Sequence, residues 1–462
     1  MKLIWHKFGI GIYHTTKVRF SSRYPINPIY CYLTIISFFG ALLRFYNLSK
    51  PKFLIFDEVY YVKNAKAMLT HGVEFSEGKA EYVAHPPFGK WIIGLGIKVW
   101  GDNPFGWRVM VALLGVFSIF LVGLLAKTLF DNIYLTLGSA FLMSIDGIAI
   151  VQSKVSILEG PLSTLVLLAA YFFVKYYQKQ KVIYILAFSF VSGLALSVKW
   201  SALYYFLALW LLLLSLTILK SVGKKEIKIL LNKLVLAIVS GILLVCTYLI
   251  TWMGWFISEN GWGRFRNGSS GWFGALNNLY YYHYQMLEFH TNLTTKHNYQ
   301  AHPLGWLVMW RPTAFAFENS GKCGKGKCSL EILDIGNPLI WWPAVLAILL
   351  LLIYVLINYR VKIEKELILL TLIGAGYLPW FIFSQRTTFL FYSGIFAPYL
   401  YIILAYVLLK FYNLSASKWR FSFFLFYLGL LLISLAYFYP LYAYMPISYS
   451  YWLNHMWFSG WI

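Results

Sequence analysis

Long apolar runs recur along the whole chain, separated by short basic segments and by two long mixed ones. A helix needs about 20 mostly apolar residues to cross a hydrocarbon core. Eleven runs reach or approach that length, near 27–47, 107–126, 133–151, 158–174, 182–198, 201–219, 234–254, 338–358, 367–383, 389–409 and 421–440. The first is the least apolar and carries Arg44, yet the charge pattern requires it. The reading is a single all-α polytopic membrane domain. Two large loops, 48–106 and 255–337, and a Tyr- and Trp-rich tail, 441–462, lie between and after the spans.

Charge sets the orientation. Basic residues concentrate on cytoplasmic loops. With residues 1–26 inside, the inner segments hold Lys2, Lys7, Lys17, Arg19 and Arg23, then Lys175, Lys179 and Lys181. Further along come Lys220, Lys224, Lys225, Lys228 and Lys233, then Arg360, Lys362 and Lys365, then Lys410, Lys418 and Arg420. Short outer loops hold single cations, Lys154, Lys199 and Arg386. Both large loops and the C-terminal tail then face outward from a cell membrane. The basic N-terminus lacks a long apolar core for a cleavable signal peptide, so the first span is expected to direct insertion.

Composition supports this class. Only 12% of residues are charged against 60% hydrophobic, too few to cover a soluble protein of 462 residues. Aromatic residues make up 20%, and such rings favour the membrane–water interface. The net charge of +22 is explained by inner loops and anionic headgroups. No basic stripe with interleaved aromatics sits on a soluble domain, so a nucleic-acid partner is not expected.

Candidate chemistry gathers on the outer face. Asp57 and Glu58 follow the apolar Phe53–Phe56 just after the first span. Carboxylates there are costly unless solvated, paired or used. One could serve as a general base; by position alone, a helix N-cap is the plainer reading. His85-Pro86-Pro87 fixes a turn before a short interfacial helix, with His85 either positioning substrate or merely structural. Arg44, Arg108, Lys154, Lys199 and Arg386 lie near outer span ends and suit an anionic group such as lipid phosphate. The alternative for each is a structural pair with Asp146 or Glu159, and Arg44 is the leading structural case. His283, His290 and His297 recur every seven residues, near one face if the helix continues, but two turns apart is too far for one metal. Cys323 and Cys328, in GKCGKGKCS, can form a disulfide if that loop meets an oxidising compartment. A zinc pair is the weaker alternative, because no second ligand pair accompanies it.

The segments FDEVYY, HPPFGKW, VQSKVSILEG, GLALSVKWSALY, YHYQMLEFHTNLTTKHNYQAHPLGW, RPTAF, GNPLIWW, GYLPWFIFSQRTTFLFY and PLYAYMPISYSYW occur in that order. Together they resemble the bacterial branch of the protein O-mannosyltransferase family, from about residue 30 onward. The resemblance implies a GT-C glycosyltransferase fold. It implies transfer of mannose, with inversion, from a polyprenyl-phosphate donor to Ser or Thr of exported chains, on the outer face. It makes Asp57 the base and Glu58 its support. It matches Arg44, Arg108, Lys199 and Arg386 to family cations, the last three as candidates for the donor phosphate. His85 and His290 are expected to position substrate. Lys154 and Glu159 depart from the arginine and aspartate expected at their positions. The second loop is too short for the MIR domain of eukaryotic members.

No cofactor is expected, and no divalent metal, because the leaving group is already a stable phosphate and the cations can stabilise it. Expected partners are the lipid-linked sugar, exported polypeptides, possible coupling to the secretion translocon, and membrane lipids; a homo-oligomer is left open. The rival readings are a GT-C transferase using another sugar or a lipid or glycan acceptor, a secondary transporter, and a non-catalytic partner of a related enzyme. The transporter reading expects paired repeats and midplane charges, neither of which is visible.

Overall fold

The computed structural model describes residues 28–220, 224–268, 271–323, 326–358, 363–383 and 385–462. The expected cytoplasmic segment 1–26, and Arg360 and Lys362, lie outside the described residues.

Helices dominate. In chain order they are α1 (Pro28–Phe45), α2 (Glu58–His71), α3 (Phe88–Trp100), α4 (Pro104–Phe130), α5 (Ile133–Ile145), α6 (Glu159–Lys179) and α7 (Val182–Leu196). Then follow α8 (Ala202–Lys220), α9 (Lys224–Thr251), α10 (Trp272–Asn292), α11 (Pro338–Ile357), α12 (Glu364–Tyr377), α13 (Ala397–Leu414), α14 (Ser417–Tyr442) and α15 (Tyr449–His455). Among the described residues, eight helical stretches are long and apolar enough to cross a membrane, so the chain is a multi-pass membrane protein. They coincide with α1, α4, α8, α9, α11, α13, α14, and α12 extended to Ile382. The other three expected spans fall on α5 and α7, which are shorter, and on α6, which opens with Glu159 and Gly160.

Local sequence explains where these helices begin. Asn103 accepts from Phe105 N and Gly106 N, both at 3.0 Å, with Pro104 at the first helical position of α4. Asn132 likewise accepts from Tyr134 N and Leu135 N at the start of α5, and Asn337 accepts from Leu339 N at the start of α11. A side-chain oxygen satisfies amides that a helix start leaves free.

The expected spans 133–151 and 389–409 are not continuous helices. The first breaks at Asp146, whose extended backbone ends α5 and caps a short helix, Gly147–Val151. The fully buried Asp146 accepts from Asn337 N (3.0 Å), Trp341 Nε1 (2.9 Å) and Tyr401 OH (2.9 Å), tying α5, α11 and α13 together. The second begins as the 3-10 turn Leu390–Ile395 and becomes α-helical only at Ala397.

Burial separates centre from rim. The apolar windows of α4 and α13 are 61% buried, whereas those of α1 and α14 are 22% buried and present their remaining apolar surface outward. Arg44 lies inside the bundle. It donates to Ser153 Oγ (3.2 Å), Gly40 O (3.1 Å), Ser144 O (3.0 Å) and Met143 O (3.1 Å), joining α1 to the end of α5. Gly115 of α4 makes room for this, since a Cβ there would meet Ser153 Oγ at 2.0 Å.

The expectation of an all-α chain needs one amendment: two small sheets. β1 (Phe75–Ser76) pairs with β2 (Lys79–Ala80) in the first large loop. In the second, β3 (Thr313–Cys323) and β4 (Gly326–Asp334) form an antiparallel hairpin, bonded at its tip by Cys323–Cys328. β5 (Ile447–Ser448) adds to β4 and draws the C-terminal tail onto the hairpin. There Trp452 donates to buried Glu331 at 2.6 Å. The tail is thus a packed part of the fold as well as aromatic.

Replacing Asp146 with Ala leaves an indole, a phenol and an amide without their buried acceptor. Such losses cost about 1–3 kcal/mol each. Thermal unfolding of the purified variant in detergent should show a clear drop in Tm relative to the wild type; an unchanged Tm would show that the hub contributes nothing.

Candidate active site

Asp57 and Glu58 are neighbours with opposite surroundings. Glu58 is fully buried and grips Arg108 with both oxygens, Nε–Oε1 2.8 Å and Nη2–Oε2 2.7 Å. It also accepts from Ile55 N (3.1 Å) and Ser156 N (2.9 Å). Arg108 donates further to Leu48 O (3.2 Å), Pro51 O (2.9 Å) and Phe53 O (3.2 Å). All five guanidinium donors are therefore engaged. This corrects the expectation of Arg108 at the donor phosphate: the geometry makes it the anchor of the loop before Asp57.

Asp57 precedes α2, yet its side chain caps no helix amide. The plain capping reading fails. Its one side-chain hydrogen bond comes from Tyr61 OH at 3.3 Å, four residues on and on the same helix face. Phe56, just before it, holds a left-handed backbone at φ 46°, unusual for a bulky residue. Four rings enclose the Phe56 ring, those of His297, Phe315, Phe389 and Phe391, at centroid distances of 5.1–6.1 Å. That packing holds the strained residue and with it the position of Asp57.

A polar cluster extends from Asp57. Lys199 Nζ meets Glu159 Oε1 at 2.5 Å and lies 4.3 Å from the Tyr392 ring centroid. Glu159 Oε2 is buried without a hydrogen-bond partner. The Tyr61 ring is 6.1 Å from His85, and His85 is 5.0 Å from His290. Val83 N and O both bond Tyr282 OH of α10, and Lys90 of α3 donates to His85 O at 2.9 Å while pairing with Glu74. Two elements thus set the His85 backbone.

His290 has its tautomer dictated by its partners. Its Nε2 sits 2.7 Å from Ala84 O, which only accepts, and its Nδ1 sits 3.3 Å from Arg386 Nη2, which only donates. The proton is on Nε2. Burial, then the Arg386 charge, pushes its pKa down to about 4. Burial and then Lys199 hold His85 well below the usual imidazole range. Both rings are neutral at pH 7. Asp57 moves the other way: burial first, then the Glu159 charge, raises its carboxyl to about 6, against the opposing effects of Lys199 and Tyr61.

The predicted residues therefore separate. Asp57, His85, His290, Lys199 and Arg386 come together. Arg108 and Arg44 hold the frame, and Lys154 does too, donating to the carbonyls of Arg44 and Tyr46. The seven-residue histidine series also separates. α10 stops at Asn292, so His297 sits in the following loop against Phe56 and Phe389. His283 is tied to Tyr248 OH and Leu279 O, both at 2.7 Å. Cys323 and Cys328 are joined in a disulfide. Tyr61, Glu159 and Tyr392 were not assigned to the site from sequence; the i, i+4 spacing from Asp57 was the available signal for Tyr61, and Tyr392 offered none.

The chain is similar to known proteins over most of its length. Residues 34–257 match the family described as dolichyl-phosphate-mannose-protein mannosyltransferase, and residues 275–461 match the C-terminal four-transmembrane region of protein O-mannosyltransferase. A polyprenol-phosphate-mannose–protein mannosyltransferase of Corynebacterium glutamicum is 30% identical over 431 residues, 80% of this chain and 81% of that one. This chain belongs to the protein O-mannosyltransferase family. A relative of the same description from Mycolicibacterium smegmatis is 27% identical and covers 92% of both chains. The S. cerevisiae protein O-mannosyltransferase complex bound to the sugar donor superposes with a TM-score of 0.78 at 14% identity, over 95% of this chain and 93% of that one. ArnT from Cupriavidus metallidurans, in the apo state, gives 0.52 at 14% identity, over 82% of this chain and 59% of that one. These likenesses show the GT-C fold. As a member of the protein O-mannosyltransferase family, the chain is a membrane glycosyltransferase.

Glu58→Gln leaves a buried guanidinium without its counter-charge, a loss of about 3–5 kcal/mol. Asp57→Asn removes a carboxylate held by one side-chain hydrogen bond, from Tyr61. The expected result is a large fall in Tm for Glu58→Gln and a Tm near wild type for Asp57→Asn. Equal Tm values would contradict the division of the pair.

Proposed function

We propose that this protein transfers mannose from polyprenyl-phosphate mannose to Ser or Thr hydroxyls of exported polypeptides, with inversion, on the outer face of the cell membrane. The carrying observation is that Asp57, free of the helix-capping task its position suggests, lies within reach of the Lys199 charge, in a cluster that Arg386 joins through His290. Family membership favours mannose and a protein acceptor. The donor follows from the description of the Corynebacterium and Mycolicibacterium relatives.

In this reading the acceptor hydroxyl gives its proton to Asp57 as its oxygen attacks C1 of the mannosyl phosphate. The C1–O bond to phosphate breaks, and its electron pair leaves with the polyprenyl phosphate. Attack opposite the leaving group inverts the anomeric carbon. Lys199 and Arg386 stabilise the charge that grows on phosphate. Arg386 suits this role because its Nε is buried without a partner. These cations make a metal unnecessary. One base suffices, since the leaving group needs no proton; a glycosidase needs a second carboxyl. Neutral His85 and His290 add no charge and hold Arg386 and the acceptor in place.

The outward orientation rests on two features. The inner ends of the spans carry the lysine-rich segments. The Cys323–Cys328 bond lies on the hairpin whose Phe315 packs on Phe56, so it shares a face with Asp57 and suits an oxidising compartment.

A purified-enzyme assay with lipid-linked mannose and a Ser/Thr peptide tests the roles. Asp57→Asn should lower kcat by about 10²–10⁴-fold, the range for losing a general base; near wild-type turnover would remove Asp57 from that role. The active form is the carboxylate, whose pKa of about 6 predicts a wild-type rate that rises with pH through 6 and levels above it. A profile flat from pH 5 to 8 would contradict this. Arg386→Gln should cost roughly 10²–10³-fold, read against Asp57→Asn to separate charge stabilisation from proton transfer.

A further inference from the structure

A second polar cluster lies at the opposite end of the bundle. α4 and α6 begin beside the site, at Arg108 and Glu159, and run away from it. α6 has 21 residues, about 30 Å at 1.5 Å per residue. Its last turn is therefore one hydrocarbon thickness from Asp57.

There a cleft of about 390 Å³ opens between the ends of α4 and α6, the start of α12, and Tyr30 of α1. Lys127, Lys175, Lys179 and Lys365 line it, against a single lining carboxylate, Asp131. Lysines that serve topology alone need only reach water near a helix C-terminus. These converge on one concavity. Lys175 Nζ lies 5.6 Å from the Tyr171 ring centroid and 6.0 Å from that of Tyr184; Lys365 Nζ lies 5.5 Å from that of Phe130. A ring face attracts an ammonium without using its three N–H donors. Among the described residues, the ion pair these lysines make is that of Lys127 with Asp131 at 3.2 Å, whose carboxylate is 88% exposed and is a weak competitor for an incoming anion. Leu124, Leu129 and the exposed Tyr30 give the cleft an apolar side at the membrane boundary.

We propose that this cleft binds the phosphate headgroup of an anionic phospholipid. The size falls in the range of small-molecule sites, roughly 300–1,000 Å³, and basic pockets between spans take such headgroups. Lys127, Lys175 and Lys365 would surround the phosphate, and the acyl chains would follow the apolar side into the bilayer. The site is distinct from the transfer chemistry and stands whether or not that reading holds.

The test uses the full-length enzyme in nanodiscs of phosphatidylcholine, with and without phosphatidylglycerol. The wild type should gain about 2–4 °C in Tm from the anionic lipid, and native mass spectrometry should show retained phosphatidylglycerol. The double variant Lys175→Gln/Lys365→Gln should match the wild type in phosphatidylcholine alone but lose most of the gain and the retained lipid. An equal gain and equal retention in the variant would overturn the site. Inorganic phosphate added to phosphatidylcholine discs should give no comparable gain. A gain equal to that from the lipid would overturn the headgroup assignment in favour of a soluble anion.

Discussion

The buried contact between Glu58 and Arg108 organises the end of the molecule that holds the candidate site. Placing both charges inside the protein costs several kcal/mol per ion before any attraction is counted. The geometry offsets this as fully as side chains allow. Two parallel hydrogen bonds join carboxylate to guanidinium, two backbone amides complete the carboxylate, and three carbonyls complete the guanidinium. Because these carbonyls and amides belong to residues 48–55 and 156, the pair sets the course of the loop that ends at Asp57. With Glu58 directed inward at the start of α2, Asp57 takes a different direction, toward Tyr61 and the cations.

The electrostatics around Asp57 follow from that placement. Two acids, Asp57 and Glu159, stand among two cations, Lys199 and Arg386, while the imidazoles of His85 and His290 stay neutral. Glu159 pairs with Lys199 by direct contact, and its charge adds to burial, the larger cause, in raising the Asp57 carboxyl to about 6. Arg386 keeps donors available because its partner here is a neutral imidazole. A carboxylate in that position would have claimed them.

The large loops and the C-terminal tail brace this arrangement. Phe56 links the acidic pair to the hairpin through Phe315, the hairpin takes β5 as a third strand, and Trp452 closes over Glu331. Residues far apart in the chain thus brace a loop whose own backbone is strained at Phe56. On the membrane side, Asp146 and Arg44 fasten the broken helix α5 to its neighbours: Arg44 takes up the carbonyls of Met143 and Ser144, and Asp146 accepts from Asn337, Trp341 and Tyr401.

By itself, the sequence determined the class, the approximate spans, the two large loops and, through ordered motifs, the family. These are legible because hydrophobic length and the sign of loop charges act locally, residue by residue. It left the roles of the cations unresolved: Arg44, Arg108, Lys154, Lys199 and Arg386 look alike as single positive charges near span ends. Only the tertiary structure separated them, because a cation's role depends on which acceptors surround it, and those come from Leu48, Tyr46, Glu159 or His290, dozens to more than a hundred residues away. The same reason hid the break at Asp146, the hairpin of β3 and β4, and the contribution of Glu159. A buried polar residue reads as an interruption in an apolar run until the partners that satisfy it are brought alongside.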